Sequence, residues 1–450
     1  MRGYLLIALA MMAALPAQAA REVSDFTLEN GLRLVVIEDH RAPAVMHMVW
    51  YRVGAADEPP GKSGIAHYLE HLMFKGTEAN PAGSIDRIVK AVGGSNNAFT
   101  SPDATGYFER VPADALGRMM ALEADRMRGL AFDDALARTE LQVVVEERNQ
   151  RVENNPGAIF SEQFAAAQYL NHSYGRPVIG WPDELAGLTP GDARAFYRRF
   201  YAPDNAIVVV AGDVTPEKVR ALAEEHYGAL APTGGLGPRT RPQEPPQRAA
   251  RRVSYADPRV GQPYLMRSYL APERDAGDQE QAAALEILAR LLGGEPTDSA
   301  LSDALQFDRP VAVQAGASYS GTALDDTSFR IYVVPRTGVT LEAAEAALDE
   351  ALARFLREGP DPARLERVKM RLYSGEIYDR DEAATLARRY GRALTSGLEI
   401  ADVAAWPDLL QSVTAGDVMA AAREVLVDRR SVTGRLTQPE TPTPAAMETN

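Results

Sequence analysis

Residues 231–252, APTGGLGPRTRPQEPPQRAARR, are rich in Pro, Gly and Arg and carry no apolar periodicity. A segment of that kind has no stripe to bury and reads as a linker. It divides a chain of 450 residues, too long for one ordinary domain, into two parts. Before it, FTLENGLRLVVIED reads as two strands about Asn30-Gly31, a strong hairpin signal. PAVMHMVWYRVG is a third strand. Helical periodicity follows near 63–74 and 84–92, and NNAFTSPDATGYFERV alternates like a strand pair about Ser101-Pro102-Asp103. Helical patterns then cover about 113–128, 133–151 and 156–170. NAIVVVAGDV is a buried strand, and a helix from Pro216 to about Tyr227 closes the half. After the linker the order starts again. RRVSYADPRV and QPYLMRSYLAP are strands, DQEQAAALEILARLLGG is a helix, VAVQAGASYS and TSFRIYVVP are strands, and helices run from Leu341 to about Leu426. The recurring order predicts a divergent internal duplication and an α+β fold. The expected parts are 20–230, the linker 231–252, a second half 253–437 and a disordered tail 438–450.

The first 20 residues stand apart, with an expected signal peptide at 1–19. MRGYLLIALAMMAALPAQAA has Arg2, an apolar run from Tyr4 to Leu15, and Ala17-Gln18-Ala19. These are the charged region, apolar region and small-residue cleavage site of a secretory signal. The run is shorter than the roughly 20 apolar residues a spanning helix needs. The chain has no cysteine, which excludes disulfides, thiolate metal sites and a lipidated cysteine anchor. The mature protein is therefore expected to be exported, with the periplasm as its compartment and no membrane anchor. Its net charge is −14, or −15 once Arg2 is removed with the signal. A surface of that sign repels nucleic acid and anionic lipid.

Only six histidines occur, and two of them fall in GIAHYLEHLMFKGT with a glutamate between. On a helix, His67 and His71 lie one turn apart on one face and can grip one metal ion. Glu70, three residues after His67, sits beside that axis, where a carboxylate reaches water at the metal rather than the metal itself. Zinc suits imidazole, makes a water acidic near neutral pH, and leaves the glutamate to take its proton. This order, H-x-x-E-H, is the inverzincin motif. A third ligand is needed, and ARTELQVVVEERNQRVENNP offers Glu140, Glu146 and Glu147. Glu140 and Glu147 are seven apart and share a helix face, and Glu146 is turned about 100° away. On spacing alone this helix is either a ligand with a supporting carboxylate or a solvated acidic face. His40, His47 and His226 have no metal-type spacing and read as exposed or satisfied core residues.

The chain resembles the pitrilysin/insulysin family of zinc peptidases, particularly its short members of the mitochondrial processing peptidase type. The resemblance spans nearly all of the mature chain. It is carried by GIAHYLEHLMFKGT, GGSNNAFTS, ELQVVVEERNQR, YGRPVIGWPDELAGLT and FYRRFYAPDNAIVVVAGDV. It implies a third zinc ligand some 75 residues after the second histidine. Here 75 residues separate His71 from Glu147, so Glu147 matches and Glu146 does not. Glu140 matches the family's supporting carboxylate. GGSNNAFTS matches an edge strand that takes up substrate as an added strand, with Asn97, Ala98 and Phe99 along it. His172 falls in a family-typical turn and reads as structural. The implied fold is two homologous halves, each with two sheet-plus-helix domains, closing like a clam shell on peptides or small unfolded proteins. The implied reaction is endopeptidase hydrolysis with Zn2+ as cofactor and Glu70 as base.

One part of the family pattern is missing. Its second half supplies an Arg and a Tyr seven apart that hold the substrate backbone and the oxyanion. Aligned on Leu301 and Leu305 of DSALSDALQFDRPVAVQAG, those positions are Gln306 and Val313. Arg309 fits a neighbouring family arginine, and Tyr319 lies too far on. The second half also has no histidine. Family heterodimers divide the labour, one subunit carrying the zinc motif and the other the Arg/Tyr pair, and this chain looks like the zinc subunit. The rival readings are a non-catalytic polypeptide-binding or scaffold subunit, which the intact His67, Glu70, His71 and Glu147 oppose, and a metal-dependent amidase for small molecules.

Overall fold

The computed structural model describes residues 23–379 and 381–439. The expected signal peptide and residues 440–450 of the expected tail lie outside them. Two sheets organise the chain. The first has six strands, in the order β1 (Val23–Thr27), β2 (Arg33–Glu38), β6 (Ala206–Gly212), β3 (Ala44–Tyr51), β5 (Thr105–Pro112) and β4 (Ser95–Thr100). The second has five, in the order β7 (Arg251–Ala256), β11 (Ser431–Thr437), β8 (Tyr264–Ala271), β10 (Thr327–Pro335) and β9 (Ala312–Tyr319). β2 pairs parallel with β6, and β7 pairs parallel with β11. The remaining pairs are antiparallel in both sheets. So β7, β11, β8, β10 and β9 occupy the places of β2, β6, β3, β5 and β4, and β1 is an addition to the first sheet. The duplication expected from element order is present at the level of topology.

The helices repeat as well. Between β3 and β4 stand α1 (Ile65–Met73) and α2 (Ser84–Ala91). Between β5 and β6 stand α3 (Leu116–Gly129), α4 (Asp134–Arg148), α5 (Pro156–Gln168), α6 (Pro182–Ala186) and α7 (Pro190–Phe200), and α8 (Pro216–Tyr227) follows β6. In the second half α9 (Glu280–Gly293) and the short α10 (Ala300–Ser302) precede β9. α11 (Leu341–Glu358), α12 (Pro362–Asp379), α13 (Ala383–Thr395), α14 (Ile400–Ser412) and α15 (Ala415–Val425) lie between β10 and β11. α9 packs on β9, α12 and α15 as α1 packs on β4, α4 and α7. Among the described residues no helix is long and apolar enough to cross a membrane.

Each sheet buries its inner face under its own helices and its outer face under a helix from the other half. Leu386, Ala387, Tyr390, Ala393 and Leu394 of α13 cover Val35, Ile37, Met48, Trp50 and Val209 of the first sheet. Phe160 and Phe164 of α5 cover Val432 and Leu436 of the second. A helix approaches a sheet this closely only where one partner is small. A Cβ on Gly391 of α13 would meet the Trp50 ring at 2.1 Å, and one on Gly434 of β11 would meet Phe164 at 2.5 Å. β6 is buried along its whole length, which explains why AIVVVAG is an unbroken apolar run instead of an alternating one.

The α+β class holds, with one correction to the architecture. Each half carries a single sheet among the described residues, not two sheet-plus-helix units. The linker is shorter than expected, since β7 begins at Arg251, and it is fixed in place. Arg241, with its side chain 3% exposed, donates to Asp57 and Asp103 of the first half and to Asp325 of the second. Glu244 accepts from the backbone N–H groups of Leu170, Asn171 and His172. Its Pro and Gly content therefore reports an irregular strap held by side chains. The sequence reading passed over α7 and β11. β11 (SVTGRLT) alternates weakly around a glycine.

Candidate metal centre

α1 starts at Gly64, whose φ of 88° is left-handed, and a Cβ there would meet the carbonyl oxygen of Ile179 at 2.7 Å. Glycine offers no capping side chain. Buried Glu58 supplies the cap from outside the helix, accepting from Gly64 N at 3.0 Å and Ala66 N at 2.9 Å. Burial pushes the Glu58 pKa up to about 8, against the pull of those two hydrogen bonds. Ile65, Ala66, Tyr68, Leu69, Leu72 and Met73 face the core, which leaves His67, Glu70 and His71 on the opposite side of α1. The Tyr68 hydroxyl donates to the carbonyl of Ala137 at 2.6 Å and locks α1 against α4.

Across that contact, α4 presents Glu140 and Glu147. Glu147 Oε2 lies 3.1 Å from His71 Nε2 and 3.8 Å from His67 Nε2. One ligand atom from each of the three residues falls within 4.8 Å of the others, and no other such group occurs among the described residues. Ligand atoms about 2.0–2.1 Å from a tetrahedral zinc stand about 3.3 Å apart. Two imidazole nitrogens and a carboxylate oxygen at this spacing fit the ion without rearrangement of the backbone. Burial, with His71 close by, lowers the His67 pKa to about 4, so its ring is neutral at neutral pH. His71 is half-buried, and Glu140 and Glu147 outweigh the cost of that burial and raise its pKa. Glu146 is exposed and bonds Gln150 instead, so of the two adjacent glutamates only Glu147 faces the site.

The remaining groups are arranged around this triangle. His71 Nδ1 lies 3.0 Å from Glu140 Oε1, and Lys75 Nζ lies 2.6 Å from Glu140 Oε2. Burial opposes ionisation of Glu140, but these two bonds prevail and hold its pKa below the ordinary carboxylate value. Glu140 thus fixes the His71 ring so that Nε2 faces Glu147, an orientation typical of histidine ligands. Glu70 is not bonded to either histidine. Burial raises its pKa, against a hydrogen bond from Thr100 Oγ1 at 2.5 Å. A carboxylate so poised takes up a proton readily.

Thr100 ends β4, the free edge of the first sheet. Asn97 is exposed there, and its side-chain oxygen accepts from the Ala98 N–H at 2.9 Å. That N–H is therefore not committed to the ladder with β5. Asn97, Ala98 and Phe99 line one cavity of about 730 Å³ together with His67, Glu70 and His71, and Glu140 and Glu147 close its wall. The eight residues expected to serve as metal ligands, base, supporting carboxylate and substrate contacts meet in this one cavity. Gln306, Val313 and Arg309 are not in its wall. Val313 is exposed and Arg309 pairs with Glu350. Tyr319 donates to the carbonyl of Pro272. His172 caps a turn through the Tyr174 N–H, and His47 is buried against Glu109 and Tyr227, as structural residues.

The sequence reading missed Lys75, Arg151 and Thr100. Lys75 follows His71 by four residues, and Arg151, 2.7 Å from Glu147, follows that glutamate by four, so helix spacing held a signal for both. Thr100 left none, because its place opposite Glu70 depends on the packing of β4 against α1.

Comparison with known proteins places the geometry in context. Residues 33–181 match the family described as insulinase, peptidase family M16, and residues 187–372 match the peptidase M16 inactive domain. The zinc protease PqqE of Helicobacter pylori is 31% identical over 409 residues, covering 90% of this chain and 91% of that protein. The crystal structure of a protease from Helicobacter pylori superposes with a TM-score of 0.87 at 29% identity, over 93% of this chain and 100% of that one. The periplasmic protease PqqL of Escherichia coli shares the fold, with a TM-score of 0.80 at 21% identity. Nearly all of this chain, 96%, aligns with 50% of that longer one.

Proposed function

Because the chain belongs to the insulinase family of peptidases, peptidase family M16, we propose that it is a zinc-dependent endopeptidase acting on peptides or small unfolded polypeptides. The observation that carries this reading is the convergence of His67, His71 and Glu147 within 4.8 Å, with Glu70 beside them and the free edge of β4 forming the opposite wall. His67, His71 and Glu147 would hold the ion, and Glu140 orients His71. Zinc bound there would supply Lewis-acid polarisation and an acidic water. A peptide extends β4 by one strand, meeting the Ala98 N–H and the Asn97 side chain, and its scissile carbonyl comes to rest beside Glu70. Glu70 takes the proton from the attacking water and gives it to the leaving amine nitrogen. Its raised pKa and its hydrogen bond from Thr100 suit a group that must hold that proton between the two steps.

The chain is also proposed to act with a second subunit of the same family. Two observations support this. Gln306 and Val313 stand where an Arg/Tyr pair is expected, and PqqL carries in one chain about twice the length aligned here. The partner would supply the pair and close the chamber over β4. The N-terminal segment supports export to the periplasm. The test is metal analysis beside an endopeptidase assay on a denatured protein, run on the chain together with a family subunit that carries the Arg/Tyr pair, with Glu70→Gln as control. A full complement of zinc with turnover that vanishes in the variant is the expected result. Equal turnover by wild type and variant, or cleavage confined to dipeptides, would overturn the reading.

A further inference from the structure

The duplication gives the metal-centre cavity a counterpart. In the second half, a cavity of about 660 Å³ is bounded by α9, the end of β9 and α12, which hold the places of α1, β4 and α4. Its chemistry is inverted. Where the first half has imidazole and carboxylate, this wall has arginine. Arg274 is 9% exposed, and its guanidinium lies 3.7 Å from the centre of the Trp406 ring. Its Nε and Nη2 both donate to Gln279 Oε1, at 2.9 and 2.6 Å. Among the described residues, Nη1 donates to nothing, and no carboxylate comes within ion-pair distance of this side chain. Burial lowers its pKa to about 10, with Glu376 and Asp402 opposing from farther off, so it stays charged at neutral pH.

Arg388 and Arg392, one turn apart on α13, line the same cavity and likewise lack a carboxylate partner among the described residues. The acids of the wall are largely spent. Glu286 pairs with Arg290, Glu376 and Asp379 pair with Arg389, and Glu295 is exposed in the loop after α9. An apolar part of the wall is formed by Val368, Leu372 and Leu410 beside Trp406, and Ser320, Thr322 and Thr385 add hydroxyl groups elsewhere. A buried guanidinium without a counter-ion, open to a cavity, is costly unless an anion completes it. The cavity is also in series with the metal centre. It shares Tyr319, Ser320 and Arg392 with an interdomain cavity of about 610 Å³, which in turn shares Phe99 with the metal-centre cavity.

We propose that this second cavity binds the carboxylate end of a peptide whose last side chain is apolar. Arg274 receives the carboxylate in a charge-assisted hydrogen bond from Nη1. Arg388 and Arg392 hold the approach to it, and Trp406, Leu372 and Leu410 surround the side chain. The choice of a peptide as ligand rests on the peptidase reading above. The anion site itself does not.

The test uses the full chain carrying Glu70→Gln, stripped of metal, so that neither turnover nor the metal centre contributes. Binding of acetyl-Ala-Ala-Leu with a free carboxylate is compared with binding of its C-terminal amide, read by calorimetry and tryptophan fluorescence. The free acid is expected to bind at least about 10-fold more tightly. Arg274→Gln should abolish the preference. Arg392→Gln, at an exposed side chain, should reduce it several-fold. Equal binding of acid and amide overturns the proposal, as does a preference that survives both substitutions. If inorganic phosphate displaces the peptide as effectively as a second peptide molecule does, the site is a bare anion site and the peptide assignment falls. Wild type that stays inactive together with a family subunit carrying the Arg/Tyr pair, yet still prefers the free acid, would overturn the peptidase reading and leave the site standing.

Discussion

The two halves of this molecule lay the same five strands in the same order and flank them with helices in the same positions, yet they line their equivalent cavities with opposite chemistry. α1 and α4 carry two imidazoles and three carboxylates into one cavity. The loop after β8, with Arg274, and α13, with Arg388 and Arg392, bring guanidinium groups without a carboxylate partner to the other. The comparison teaches that the shared topology builds a hollow between an edge strand and two helices, and that a handful of side chains decides whether the hollow accepts a cation or an anion. Fold likeness alone would assign both halves the same job.

The sharpest way to break that contrast is to remove its reactive group. Glu70→Gln is expected to retain zinc and lose about 10²–10⁴ in turnover, the span attributed to a general base. Metal content measured beside peptide cleavage decides it, and wild-type turnover by the variant would remove Glu70 as the base. Next in size is the divided site. Each missing oxyanion donor costs about 10²–10³ in rate, so the isolated chain should cleave poorly and a family subunit carrying the Arg/Tyr pair should restore activity by a similar factor. Titrating one subunit into the other reads this out, and full activity from the chain alone excludes it. Third, Glu147→Gln should weaken zinc binding severely where Glu146→Gln does not, because only Glu147 faces His67 and His71. Glu140→Gln should fall between them, at about 10–100-fold. Chelator competition gives all three constants, and a reversed order would move the ligand by one residue. Smallest in effect, Gly391→Ala and Gly434→Ala probe the two crossing helices. Each forces a methyl into an aromatic ring, and overpacking of that kind costs about 1–3 kcal/mol. Thermal unfolding of both variants should show similar losses, and a loss at only one site would mean that the two crossings are unequal.

What the sequence disclosed follows from how local each signal is. The metal-binding pattern on α1 is confined to one turn, and the face shared by Glu140 and Glu147 spans two, so both were legible from spacing. The choice between Glu146 and Glu147 needed the resemblance and is made in the structure by the rotation of α4 toward α1. Most strands were legible because alternation and turn residues are local, and the alternation in β11 was broken by Gly434. Contacts between distant segments were not legible. Nothing in RTRPQEPP indicates that Arg241 will find Asp57, Asp103 and Asp325, and nothing in the α5 or α13 sequences says that each packs on the other half's sheet. The expectation of two sheets per half failed for a different reason. That expectation came from the resemblance and not from the residues, and the two sheet-plus-helix units it implies are the two halves of this chain.

The crossing of α5 and α13 sets the order of events as the chain comes into being. The first sheet has its last strand by Gly212, but the helix that covers Val35, Ile37, Met48 and Val209 ends at Thr395. At about 5–20 residues/s, that apolar face waits roughly 10–40 s for its cover during synthesis. Over that interval a nascent chain offers a bare sheet to any holdase within reach. The finished molecule should melt in one step, because neither half owns the lid to its own core.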